Sequence, residues 1–371
     1  MIPYRIHRLV PRLLILLALD PRVSAGAVQV DFVAAASPAV AVEGRCVRTP
    51  AGGLRLGFPG QVLHLRVSGD SVSMQVNASS AEVFFDVQVD GAEPVRLRCH
   101  AGVGEYPLLE GAAKGKHTVI ITRRTESWQG TCEVLGFKTG SGTTLLQPPA
   151  LPKRKLMFIG DSITCGAATD IRPNDPLKGK TAHEDQQSNA RLSYGMILSR
   201  RLNAQVCLVS YGGRGVIRDW QGLNTVCNAP QFYERALPDD AAAVWNPADY
   251  VPDVIVICLG TNDFNQGVPD EHDFVNAFVA FVGKIRRDAP KARIFLADSP
   301  MLEDAPGKPA KRTILHDYLL KTIAALNDPA VSLAPVRHYP GVPNNGHPTR
   351  EDHEAIAGEL EPLIQQALNW N

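Results

Sequence analysis

Residues 155–166 read KLMFIGDSITCG, and the two halves of this stretch follow different rules. KLMFIG (155–160) is a nearly unbroken apolar run, as expected of a strand buried on both faces rather than one that alternates against water. GDSIT then places small and polar residues where a chain leaving a strand has to turn. The same pattern recurs downstream. QVCLVSY (205–211) runs into Gly212-Gly213-Arg214-Gly215, DVIVICLG (253–260) runs into Thr261-Asn262-Asp263, and ARIFLAD (292–298) forms a fourth apolar run. Helical periodicity fills the gaps in YGMILSRRLN (194–203), EHDFVNAFVAFVGKIRRD (271–288) and RTILHDYLLKTIAALN (312–327). A last helix, REDHEAIAGELEPLIQQALN (350–369), closes the chain. Strand and helix in alternation predict a parallel sheet with helices on both faces.

Upstream the rhythm changes. QVLHLRVSG (61–69), SVSMQVNAS (71–79), VFFDVQVDG (83–91), PVRLRCH (94–100) and HTVIITRRT (117–125) are short alternating runs separated by turn residues. Period-two alternation at this spacing predicts antiparallel strands of a β-sandwich or jelly roll over 28–146. QPPALP (147–152) carries three prolines in six residues, which deny both helix and sheet pairing, so 147–154 reads as a linker to an α/β domain over 155–371.

The 371 residues hold 38 Lys+Arg and 38 Asp+Glu, a formal net charge of zero. Such a balance leaves no basic footprint for nucleic acid. No run of eighteen apolar residues occurs, so no membrane-spanning helix is expected. The N-terminal MIPYRIHRLVPRLLILLALDPRVSA (1–25) joins a basic start, an apolar stretch at Leu13–Leu19 and a Val-x-Ala pattern at Val23–Ala25. It reads as a secretory leader. The leader carries a net +3, so the mature chain would be mildly acidic at −3. Seven cysteines, with no C-x-x-C pair, leave at least one thiol unpaired and argue against a zinc ribbon.

Ligands of open parallel sheets bind at the carboxyl ends of the strands. That edge is where Asp161-Ser162, Tyr211-Gly212-Gly213 and Asn262-Asp263 should gather, joined by the late Asn344-Asn345-Gly346-His347-Pro348. A serine hydroxyl needs a base within hydrogen-bond reach to become a nucleophile, and His347 has the pKa to accept and return its proton. GDSIT, the Gly-rich second block, GTND and the late His-Pro together resemble the four blocks of the SGNH (GDSL) hydrolase superfamily. More narrowly, KHTVIITRRTE (116–126), a Pro-rich linker and FIGDSITCG (158–166) resemble carbohydrate esterase family 2, over nearly the whole chain. The resemblance implies a flavodoxin-like three-layer hydrolase domain behind an N-terminal jelly roll. It also implies serine-dependent removal of acetyl groups from plant polysaccharides such as xylan and glucomannan, without a cofactor.

By that family pattern the developing oxyanion would be held by the Ser162 N–H, the Gly213 N–H and the Asn262 side-chain amide. Fixed donors of this kind are each worth roughly 3–4 kcal/mol of barrier. The superfamily usually carries Asp three residues before the catalytic His, and here that position is Asn344. An Asn carbonyl can hold the imidazole tautomer but lacks the charge that stabilises imidazolium. The expectation is therefore a Ser162–His347 dyad with Asn344 or a backbone carbonyl as third member. Asp161 is expected to brace the nucleophile turn, Asp263 its own loop, and His353 to pack structurally. Trp220 and Tyr211 are candidate platforms for a sugar ring. His183, Glu184 and Asp185 cluster in a loop without metal-ligand spacing, so no metal is expected. Two alternatives stand beside the esterase: a lipase- or thioesterase-like acylhydrolase, and a carbohydrate-binding protein with a weakened catalytic centre. Oligomeric state is not readable from the sequence.

Overall fold

In this computed structural model, residues 31–171, 187–343 and 345–370 are described. The expected leader (1–25), the His183–Asp185 cluster and Asn344 lie outside them.

Residues 31–146 form two antiparallel sheets. The strands are β1 (Asp31–Ala34), β2 (Ala41–Glu43), β3 (Val47–Arg48), β4 (Leu54–Leu56), β5 (Val62–Gly69), β6 (Val72–Ala78), β7 (Phe84–Val89), β8 (Val95–Arg98), β9 (Gly102–Leu109), β10 (Gly115–Arg123), β11 (Cys132–Thr139) and β12 (Thr144–Leu146). One sheet runs β3-β4-β11-β6-β9 with β1 also on β11, and the other runs β12-β5-β10-β7-β8 with β2 also on β5. Every second side chain turns inward, so Val72, Met74 and Val76 of β6 meet Leu63, Leu65 and Val67 of β5 in one core. β9 was not among the strands expected, because its GVGEYPLL carries two glycines and Pro107. Proline is tolerated there because β9 is an edge strand with one side unpaired.

The second half alternates strand and helix: β13 (Arg154–Gly160), α1 (Ser162–Cys165), α2 (Tyr194–Arg201), β14 (Ala204–Ser210), α3 (Ala229–Phe232), β15 (Val254–Cys258), α4 (Glu271–Asp288), β16 (Arg293–Ala297), α5 (Lys311–Leu326), β17 (Val331–Ala334) and α6 (Arg350–Leu368). The five strands are parallel in the order β14-β13-β15-β16-β17, the flavodoxin-like arrangement with a switch point beside β13. Leu156 and Phe158 of β13 face the layer of α2 and α6, while Met157 and Ile159 face that of α4 and α5. β17 was not expected, since VSLA is only four residues long. Among the described residues, no helix is long and apolar enough to cross a membrane.

The β region is built into the α/β region. Phe58 is fully buried in the core beneath α4, 6.4 Å from the ring of Phe232. Val62 is buried in the core on the other face of the sheet. Arg45, with no exposed surface, lies over the rings of Trp245 (4.9 Å) and Tyr233 (5.1 Å) and donates to the Arg235 carbonyl at 2.9 Å. Burial lowers its pKa, but contact with three rings and carbonyls gives its charge partners that water no longer supplies. Arg124 bridges Asp86 of β7 (2.7 Å) and Asp170 (2.5 Å), and Arg350 closes on Asp170 from α6 at 2.9 Å.

Candidate active site

The nucleophile turn follows directly from GDSIT. Asp161 caps the one-turn helix α1 by accepting from the Ile163 N–H at 3.0 Å, and Gly166 ends it in the left-handed region at φ +76°. Ser162 thereby stands at the first position of the turn, at the carboxyl end of β13.

His347 arrives from the loop between β17 and α6. That loop is closed on itself, with the Val342 N–H donating to the His347 carbonyl at 2.8 Å and the Gly346 N–H to the Val342 carbonyl at 2.8 Å. Its far end is fixed where Thr349 caps α6 and Asp352 reaches back to the Thr349 N–H. The result is a 2.7 Å contact between His347 Nε2 and Ser162 Oγ. The other ring nitrogen, Nδ1, lies 2.5 Å from Asn345 Oδ1. An amide oxygen only accepts, so Nδ1 carries the proton and Nε2 is left bare to take one from the serine.

Asn345 was not singled out in the sequence, where the superfamily spacing draws attention to Asn344. A local signal existed. Asn345 Oδ1 also accepts from the His347 backbone N–H at 3.2 Å, an Asx turn that folds the side chain onto the residue two positions on. Among the described residues no carboxylate reaches the half-buried imidazole, and removal from water lowers its pKa to about 4.

The remaining residues gather at the same edge. Gly213 has φ +76°, and its carbonyl accepts from the Trp220 N–H at 2.9 Å. A side chain at this position would meet the Trp220 ring at 2.8 Å, so glycine serves both the backbone angle and the close approach. Among the described residues neither the Ser162 N–H nor the Gly213 N–H has a partner. Asn262 Nδ2 is fully engaged, donating to Asp161 Oδ2 at 3.1 Å and to the Arg214 carbonyl at 2.9 Å. To donate to a third oxygen it has to release or share one of these.

Asp263 accepts from the N–H groups of Val216 (3.0 Å), Ile217 (2.8 Å) and Arg218 (3.3 Å), so it braces the neighbouring loop rather than its own. Burial raises the pKa of Asp161 to about 7, against the lowering effect of its hydrogen bonds with Ile163 and Thr261. His353 is buried, accepts from the Tyr194 N–H at 3.1 Å and stacks on that ring.

The two aromatic candidates part company. Trp220 is 51% exposed beside Gly213, whereas Tyr211 is 7% exposed. The Tyr211 hydroxyl donates to Asp239 at 2.9 Å, and its ring lies against the Arg214 guanidinium and Phe232. Of the two, Trp220 presents a face to solvent. Trp128, 57% exposed on the β region, was not noticed in the sequence. No disulfide joins the seven cysteines, five of which are buried. Among the described residues, ligand atoms of Asp270, His272 and Asp273 come within 4.8 Å of one another. All three are exposed at the start of α4, where Asp270 already caps the helix through the Asp273 N–H.

Comparison with known proteins covers nearly the whole chain. Residues 42–149 match the family "Carbohydrate esterase 2 N-terminal", and 158–358 match the "GDSL-like Lipase/Acylhydrolase family". An acetylxylan esterase / glucomannan deacetylase of Cellvibrio japonicus is 35% identical over 342 residues, covering 91% of each chain. A solved family two carbohydrate esterase from Cellvibrio japonicus superposes with a TM-score of 0.86 at 32% identity, covering 92% of this chain and 99% of that one. Another, from Clostridium thermocellum in complex with cellohexaose, gives a TM-score of 0.81 at 27% identity, covering 90% and 100%. These likenesses join a flavodoxin-like sheet bearing GDSIT at its edge to a jelly-roll region ahead of it. The chain belongs to carbohydrate esterase family 2 and is a carboxylic ester hydrolase.

Proposed function

We propose that the enzyme is an exported esterase that removes acetyl groups from the hydroxyls of neutral plant polysaccharides, with xylan and glucomannan as the substrate class. The observation that carries this reading is the 2.7 Å pairing of His347 Nε2 with Ser162 Oγ, in a ring whose Nδ1 is held by Asn345. Ser162 Oγ attacks the acetyl carbonyl carbon as its proton passes to His347 Nε2. The carbonyl oxygen, now negative, faces the Ser162 and Gly213 N–H groups. Asn262 joins them by exchanging its bond to the Arg214 carbonyl for one to the oxyanion, where the accumulating charge makes it the better acceptor. The imidazolium returns its proton to the departing sugar oxygen, leaving acetyl-Ser162. Water, deprotonated by the same imidazole, then attacks the acetyl carbon, and as acetate leaves, Ser162 Oγ takes the proton back from His347.

Trp220 offers an aromatic face for a sugar ring beside the reacting carbon. The Cellvibrio relative's name and the cellohexaose complex both support a glycan in the cleft. The leader read in residues 1–25 supports export, and N-terminal sequencing of secreted protein is expected to begin just after Ala25.

The test is an acetate-release panel on acetylated xylan and glucomannan, with Ser162→Ala as control. Release from these glycans and a preference for acetyl over octanoyl nitrophenyl esters are expected. A steep octanoyl preference would instead mark a lipase-like acylhydrolase. Binding to glycans without acetate release would mark a decayed enzyme.

The pH dependence has a definite sign. The neutral imidazole is the active base, and His347 is held neutral by burial down to about pH 4. Activity, as kcat/KM, should therefore persist into acid and fall only as pH drops through that value. A His347 limb at 6.5 in the pH profile would mean that solvent or a carboxylate reaches the ring.

A further inference from the structure

One buried carboxyl of the β region touches the catalytic edge and has no role in the steps above. Glu126 is 3% exposed and follows β10, on the far side of the linker from Ser162. Its Oε2 accepts from the Gly212 N–H at 2.5 Å. The Glu126 backbone is itself fixed, its N–H donating to Gln129 Oε1 at 2.8 Å and its carbonyl accepting from Arg123 at 3.3 Å. The Cys165 thiol, at the end of the helix that starts with Ser162, lies close enough to favour the carboxylate. So does the Trp128 indole, although burial outweighs both and raises the pKa.

The bond to Gly212 has two consequences. It takes up the Gly212 N–H, which leaves the next amide, that of Gly213, to meet an oxyanion. It also clamps one side of the Gly212–Gly213 peptide, while the Trp220 N–H holds the Gly213 carbonyl on the other at 2.9 Å. An N–H held between two such anchors is pre-aimed, which is what makes an oxyanion donor effective. Gly212 is small where this requires it. A Cβ there would sit 2.7 Å and 2.9 Å from the two Glu126 carboxyl oxygens and push the group away.

We propose that Glu126 is a positioning residue for ester hydrolysis, a carboxyl lent by the β region that sets the Gly213 N–H against Ser162. The proposal rests on the reading of Gly213 as an oxyanion donor. In this enzyme, then, the β region completes the catalytic centre.

The test uses the full-length protein and 4-nitrophenyl acetate, which reports on the catalytic centre whatever the natural glycan. Inactivity on glycans alone would therefore sink the substrate reading and leave this one standing. Glu126→Ala should lower kcat by about 100-fold, the scale of a donor misplaced by roughly an ångström, with KM little changed. Glu126→Gln retains an oxygen to accept from Gly212 and should recover most of the loss. Gly212→Ala, which displaces the carboxyl sterically, should reproduce the Glu126→Ala defect, and the double variant should be no worse than either. A folded Glu126→Ala enzyme with near wild-type kcat overturns the proposal. So does an equal loss in Glu126→Ala and Glu126→Gln that tracks a lowered melting temperature. If Glu126→Ala does not fold, Gly212→Ala decides alone, a selective fall in kcat supporting the proposal and wild-type kcat refuting it.

Discussion

Ser162→Ala is expected to reduce kcat by about four to six orders of magnitude on acetyl esters, the range found when a serine nucleophile is removed and only the oxyanion site remains. His347→Ala should fall into the same range, and the double variant should be no worse than either single one. The two side chains share one proton through a 2.7 Å contact, so removing either disables the same step. Asn345→Ala belongs to a different scale. It deletes a neutral acceptor that orients the ring, with no charge to lose, and a net hydrogen bond of about 1 kcal/mol corresponds to roughly five- to tenfold in rate. Single-turnover kinetics with nitrophenyl acetate would rank the three. Equal losses at Asn345 and His347 would turn the dyad into an obligate triad. A Ser162→Ala enzyme within 100-fold of wild type (roughly the loss expected for a single oxyanion donor) would displace the nucleophile altogether.

The second large effect is on stability. Arg124→Ala should destabilise the fold by about 3–5 kcal/mol, because it leaves buried acidic partners without their counter-charge. The Arg124 side chain is 3% exposed, Asp86 6% and Asp170 18%, so solvent screens this group far less than it screens the surface pairs. Asn189 still donates to Asp86 at 2.9 Å and Arg350 to Asp170 at 2.9 Å, which should keep the loss towards the lower end of that range. Arg124→Lys should rescue only part of it, since one ammonium does not span two carboxylates as the guanidinium fork does. Urea denaturation gives the measurement. A loss under 1 kcal/mol would show that water enters the cluster readily.

The α/β half was legible because its strands are buried on both faces. The apolar runs 155–160 and 253–260 announce β13 and β15 almost to the residue, and EHDFVNAFVAFVGKIRRD is α4 end to end. β17 escaped for lack of length, and β9 because its glycines and proline mimic a loop. At the site, Ser162 and Asn262 are legible because each follows an apolar strand and His347 because it stands just ahead of a helix, whereas the choice of Gly213 rests on the family pattern. Glu126 and Trp128 are not legible. Their place depends on how one half of the chain docks on the other, which no local periodicity encodes. Asn345 failed for the opposite reason, because a family spacing overshadowed a turn within four residues of the base.

Phe58 and Val62 give the architecture a consequence for anyone who would take it apart. Each is a residue of the β region spent inside a core that belongs to the other half, on opposite faces of the parallel sheet. A fragment cut at the prolines would keep every catalytic side chain of the dyad. It would also open two apolar sockets to water and strand the Arg45 aromatic nest. The two halves should therefore melt in a single transition, and neither is a portable cassette. Grafting a foreign binding module in place of residues 31–146 would have to supply these two plugs before it supplied any new specificity.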